Sequence, residues 1–150
     1  MKFTQEITID LPREKVIELF DNPDNMQHWQ KGLISFEHIN GTPGAIGSQY
    51  KLRYKMGKRE IEMIETIIKR DLPDEFSAVY EAKGVWNEVK NHFTVLDDQQ
   101  TLWKTENTFH FKGGMKVMAF LMPRAFKKQS LKFMQDFKRF AEKIDGSEEE

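Results

Sequence analysis

Apolar and polar residues alternate from the start of the chain. Phe3, Ile7, Ile9 and Leu11 share one parity, and Lys2, Thr4, Glu6, Thr8 and Asp10 the other. A period of two with one apolar side predicts a half-buried strand over Lys2–Asp10, with Gln5 the odd polar residue on its apolar side. The period then changes. Val16, Ile17, Leu19 and Phe20 form a helical stripe, with Asp10 available as a cap and Pro12 and Glu14 near the first turn. Asn22-Pro23 ends that helix, and Pro23–Trp29 is predicted as a second short one. Six strands follow: Leu33–Asn40, Ser48–Met56, Arg59–Lys69, Phe76–Lys83, Val85–Leu96 and Thr101–Phe111. Gly41–Gly47, Gly57-Lys58, Asp71–Asp74, Gly84 and Asp97–Gln100 separate them. Connections this short join antiparallel neighbours.

From Met115 to Ile144 the period becomes 3.6, carried by Met118, Met122, Phe126, Phe133, Phe137, Phe140 and Ile144. A helix of that length spans roughly 45 Å. Pro123 predicts a break, because its ring clashes with the carbonyl of Ala119 and it lacks an N–H. Met115–Met122 is then a separate, lid-like segment. Gly146 is the expected stop, and residues 145–150 an acidic, disordered tail.

One sheet with one apolar face and one long amphipathic helix predict an α+β fold. Its seven-stranded antiparallel sheet curves around the C-terminal helix, with two short helices after the first strand. Parity and helical spacing place Tyr50, Tyr54, Met63, Trp103, Phe109, Met122 and Phe126 on the inner face. Three polar residues interrupt that lining. Asn91 lies among Val89, Phe93 and Val95, and Asn107 among Trp103, Thr105, Phe109 and Phe111. Buried amides of this kind need a hydrogen-bond partner: another side chain, each other, a water or a ligand that they orient, unless the backbone bulges there. Glu65 shares parity with Ile61, Met63 and Ile67, but Ile64 and Ile68 on the other parity leave its face open. Inside, its carboxyl would have a raised pKa and suit acid–base work.

Composition narrows the function. The 150 residues form one domain, residues 1–144, able to bury roughly 70% of its extended surface. Twelve Phe, three Tyr, three Trp and eight Met are a heavy supply for a plastic apolar lining. The absence of cysteine excludes disulfides, thiolate metal sites and a cysteine nucleophile. His28, His38, His92 and His110 have no metal-ligand spacing, so no metal and no other cofactor is expected. The glycine loop precedes a strand and lacks a phosphate-binding lysine, which argues against a nucleotide. Net charge is −1, against nucleic acid. Without a signal peptide or a membrane-spanning run, a cytoplasmic protein is expected. Residues 112–144 carry nine Lys and Arg against Asp136 and Glu142. Such a face is solvated, with contact to anionic lipid the secondary reading.

The order of elements resembles the SRPBCC superfamily, whose helix-grip fold is shared by START lipid-transfer domains, birch-pollen allergens and polyketide cyclase/dehydrase-like proteins. Local echoes add to it over residues 1–144. They are Pro12–Phe20 as the opening helix, Asn22-Pro23 with Trp29 as the second, the glycine-rich hairpin Gly41–Ser48, and the Asp71-Leu72-Pro73 turn. Gly84 before the last strand pair, and Lys138 with Glu142 in the terminal helix, complete them. The resemblance implies binding or transport of a mainly hydrophobic, lipid- or polyketide-like small molecule between sheet and C-terminal helix. Its expected cavity residues are those named above together with Tyr80, Phe93 and Met118. The alternatives are a cyclase/dehydratase-type enzyme using Glu65, Asn91 and Asn107, and a co-chaperone-like interaction protein with a filled interior. A monomer or weak homodimer is expected.

Overall fold

The structure, a computed structural model, describes residues 1–148. Strand β1 (Lys2–Ile9) leads into α1 (Arg13–Phe20), then a 3-10 turn (Pro23–Asn25) that runs into α2 (Met26–Trp29). Six strands follow: β2 (Leu33–Asn40), β3 (Gln49–Met56), β4 (Arg59–Asp71), β5 (Glu75–Ala82), β6 (Val85–Asp97) and β7 (Gln100–Phe111). Two helices close the chain, α3 (Gly114–Leu121) and α4 (Pro123–Glu148). All strands join one antiparallel sheet in the order β1-β7-β6-β5-β4-β3-β2.

This topology gives the sheet two distinct ends. At one lie the starts of β1 and β2, the β3–β4 and β5–β6 hairpins, and the finish of β7, which runs on to α3. At the other lie the β2–β3 loop, the β4–β5 and β6–β7 turns, and the N-terminus of α1. Gly32 fixes the start of β2. Its φ of +87° suits glycine, and a Cβ there would lie 2.5 Å from the carbonyl oxygen of Lys55.

Three details differ from expectation. Asp10 does not cap α1, because the helix begins after Pro12, two residues further on. Its carboxylate instead accepts from Gln100 Nε2 at 3.0 Å and faces Lys138. Gly146 does not stop α4, which continues to Glu148; one glycine costs about 1 kcal/mol, too little to end a helix anchored upstream. Of the expected tail, residues 149–150 lie outside the described residues. The break at Pro123 is present: Met122 leaves the helical region at φ −132°, ψ 55°, and separates α3 from α4.

The interior holds two apolar clusters. One gathers Ile9, Leu11, Val16, Leu19, Trp29, Phe93 and Trp103 around Met134, Phe137 and Ala141 of α4. Phe137 is its hub, with ring centroids 5.1–5.9 Å from Trp29, Trp103 and Phe20. The other gathers Met26, Tyr50, Leu52, Tyr54 and Ile67, with Phe36, Met63 and Phe76 against it.

Candidate ligand-binding site

Across β3 to β7 the inner face carries a polar row. Strand register sets Tyr50 of β3 beside Glu65 of β4, Glu65 beside Tyr80 of β5, Tyr80 beside Asn87 of β6, and Asn87 beside Phe109 of β7. Glu65 is 6% exposed. Burial pushes its carboxyl above the usual carboxylate range, and a hydrogen bond from the Tyr80 hydroxyl partly offsets this. The Tyr80 ring is partly exposed, but its hydroxyl is enclosed; burial and then the Glu65 carboxylate raise its pKa well above the ordinary phenol value. Tyr54 shifts the same way for the same two reasons, and its hydroxyl donates to Gln30 Oε1 just after α2. Both phenols therefore stay protonated donors. Tyr50 accepts from the backbone N–H of Gly44 at 2.7 Å, which ties the glycine loop to this row.

A second polar group lies under α4. Trp103 Nε1 donates to Asn91 Oδ1 at 3.0 Å, and Asn91 Nδ2 donates to the Phe76 carbonyl at 3.1 Å. Asn107 Nδ2 donates to Thr105 Oγ1 at 3.2 Å, and that hydroxyl points to Met134 Sδ. The amides are thus satisfied, but not by each other. Gln5, opposite Thr105, donates from Nε2 to the Lys127 carbonyl of α4 at 2.8 Å. Its buried Oε1 and the buried Trp29 Nε1 have no protein partner.

Most of the sequence-predicted residues meet on this face. Tyr50, Tyr54, Glu65, Asn91, Phe93, Trp103 and Asn107 are buried there, and Met63, Tyr80 and Phe109 are half-buried. Phe126 of α4 packs on Phe109 and Phe111, with centroids 5.3 and 5.0 Å away. Met118 and Met122 do not belong to the inner face: they are 41% and 57% exposed. Their placement extends the phase of α4 across the break expected at Pro123, and the turn at Met122 ends that phase relation. Asn87 and Gln30 join the site unforeseen. Asn87 could have been found by extending the Asn91 parity two steps; Gln30 follows a helix end and carries no periodic signal.

The four histidines sit apart: His28 stacks on Phe140, His38 meets Tyr50 edge-on, His92 lies between Glu75 and Glu106, and His110 packs by Trp86. A cleft of about 520 Å³ lies elsewhere, between α1 and the β4–β5 and β6–β7 turns, lined by Arg13, Ile17, Pro73 and Val95. No helix among the described residues is long and apolar enough to cross a membrane.

A seven-stranded antiparallel sheet wrapped on a long C-terminal helix, with a mixed apolar and polar inner face, defines a helix-grip protein of the SRPBCC type. The family described as "Polyketide cyclase / dehydrase and lipid transport" matches residues 1–142, and the chain belongs to it. Among solved structures, a conserved protein from Geobacillus kaustophilus is similar at 15% identity and TM-score 0.81, over 95% of this chain and 96% of that one. The Zhui aromatase/cyclase from a Streptomyces species is similar at 12% identity and TM-score 0.75, over 95% and 93%. Norcoclaurine synthase from Thalictrum flavum, in complex with dopamine and hydroxybenzaldehyde, is similar at 13% identity and TM-score 0.71, over 95% and 87%. These identities show the shared fold. No curated protein sequence matches the chain.

Proposed function

We propose that the protein binds a mainly apolar small molecule bearing a hydroxyl or carbonyl group, between the sheet and α4. One observation carries this reading: a buried carboxyl, Glu65, bonded by the Tyr80 hydroxyl, lies on an otherwise largely apolar inner face in register with half-buried Asn87 and Phe109. An apolar wall with a few placed polar groups is the composition of a ligand site. Family membership, and an aromatase/cyclase and a complex with aromatic ligands among its structural neighbours, support the same chemistry.

Native mass spectrometry of gently purified protein tests for a retained apolar ligand. Titration with 2-naphthol, read by quenching of Trp29 and Trp103, tests the site. Saturable one-to-one binding, weakened about tenfold by Tyr80→Phe through loss of a hydrogen-bond partner, is expected. Non-saturable quenching, or equal binding by Tyr80→Phe and Glu65→Gln, refutes it.

A second reading draws on the raised pKa of Glu65 beside a neutral phenol. In its ionised form Glu65 would accept the proton next to a carbonyl while Tyr80 donates to the oxygen that gains charge, and the protonated Glu65 would then give that proton to the departing β-hydroxyl, so that water leaves. Loss of water from a β-hydroxy ketone probe, abolished in Glu65→Gln, is the readout that separates an enzyme from a carrier.

A further inference from the structure

Helix α3 is built inside out. It rests on the body through half-buried Met115 and Ala119, one turn apart. Its other side shows Val117 (59% exposed), Phe120 (84%) and Leu121 (70%), continued by Met118 and Met122. A surface helix of a globular protein normally turns its apolar residues inward. A contiguous exposed patch of this size marks an interaction surface.

Charge indicates what covers it. Residues 111–135 contain six Lys and Arg and no Asp or Glu. The sheet end from which α3 projects presents exposed Lys31, Lys55, Lys58, Arg59, Lys83, Lys112 and Lys116. None of these seven forms an ion pair among the described residues; of the acids at this end, Glu60 is bound by Arg53 at 2.9 Å and Glu81 is exposed. The opposite end presents Glu14, Asp71, Asp97 and Asp98, together with Asp10 and Asp74, which pair with Lys138 and Arg13. The chain, nearly neutral overall, is therefore polarised along its strands.

We propose that the α3 end docks on an anionic phospholipid surface, with Phe120, Leu121 and Val117 entering the headgroup–acyl boundary and the lysine rim meeting the phosphates. Cations spread over a whole end of the sheet match a delocalised negative plane, rather than a groove for a single helix. A second copy fits poorly, since a two-fold contact at α3 sets like charges against like. The acidic end turns away from the membrane and orients the approach. This inference stands independently of what the interior binds.

The test is flotation of the full chain with phosphatidylcholine vesicles, and with vesicles containing about 30 mol% phosphatidylglycerol. Binding to the anionic vesicles is expected to be at least about tenfold stronger, and lost at about 0.5 M salt. Phe120→Glu with Leu121→Glu, and separately Lys112→Glu with Lys116→Glu, should each lower it about tenfold; all four positions are exposed, so folding is expected to survive. Should a variant unfold, amide exchange of the wild-type chain decides: anionic vesicles must slow exchange across residues 114–122. Equal flotation on both vesicle types, no flotation, unchanged binding by both folded variants, or an α3-dependent dimer that excludes vesicles overturns the proposal.

Discussion

Tyr80→Phe should destabilise the protein by an amount that grows with pH. The substitution removes the phenol that donates to Glu65 and leaves the ring in place. While Glu65 is protonated, the loss is that of an ordinary hydrogen bond, about 1 kcal/mol. Once Glu65 ionises, the lost bond is one to a buried charge, about 1.5–3 kcal/mol. The folded pKa of Glu65 lies above its unfolded value, so the native state holds the proton longer. Its contribution is complete below the unfolded pKa and is lost as pH rises through the folded one. Removing Tyr80's hydroxyl raises the folded pKa further, and the loss extends to higher pH. Glu65→Gln deletes the titration, so its stability relative to wild type should rise across the same window. Urea unfolding of wild type, both single variants and the double variant between about pH 4 and 8 measures this. Glu75, where burial is outweighed by bonds from Ser77 and Lys69 to give a lowered pKa, titrates alike in all four and cancels. A Tyr80→Phe penalty that is the same at every pH, or a Glu65→Gln profile parallel to wild type, would refute the coupling.

Other outcomes follow from the same packing. Asn91→Ala orphans Trp103 Nε1, and should cost about 1–3 kcal/mol in chemical unfolding. Phe137→Ala empties the hub of the α4 cluster and should cost about 3–5 kcal/mol, read as a fall in the urea midpoint. Amide exchange at residues 114–121 should be faster than at 133–141, because α3 has no buried residue while α4 is anchored by Met134, Phe137 and Ala141. Equal rates would mean that α3 is as firmly held as α4.

The strands were legible because alternation and turn residues agree, and Asn91 and Asn107 stood out as amides in apolar rows. Glu65 was ambiguous because Ile64 and Ile68 make the other side of β4 apolar as well. The alternation nevertheless holds: Glu65 and Ile67 are buried, and Ile68 faces outward at 37% exposure before the bulge that separates Ile67 from Lys69. Gln30 reaches Tyr54 only because the chain after α2 turns back over β3, a tertiary contact without local signature. Met118 and Met122 were misplaced because helical phase does not carry across Pro123.

A buried carboxyl is a liability in a domain whose net stability amounts to a few kcal/mol. A well-packed apolar residue at position 65 would remove the desolvation penalty, since Leu52 and Ile67 already pack in the cluster beside it. Tyr80 offsets that penalty only in part, because the carboxyl's pKa stays raised despite the bond. The same holds for Gln5, whose Oε1 is buried without a partner although Phe3 and Ile7 flank it on an apolar strand face. Two such groups on one inner face, Gln5 on β1 under α4 and Glu65 on β4, are poorly explained by packing. A ligand polar group placed near either would satisfy it, so unliganded protein should carry part of its potential stability unused. Saturating ligand should then raise the unfolding temperature more in wild type than in Gln5→Leu or Glu65→Gln, and an equal rise in all three would assign these groups to the fold alone.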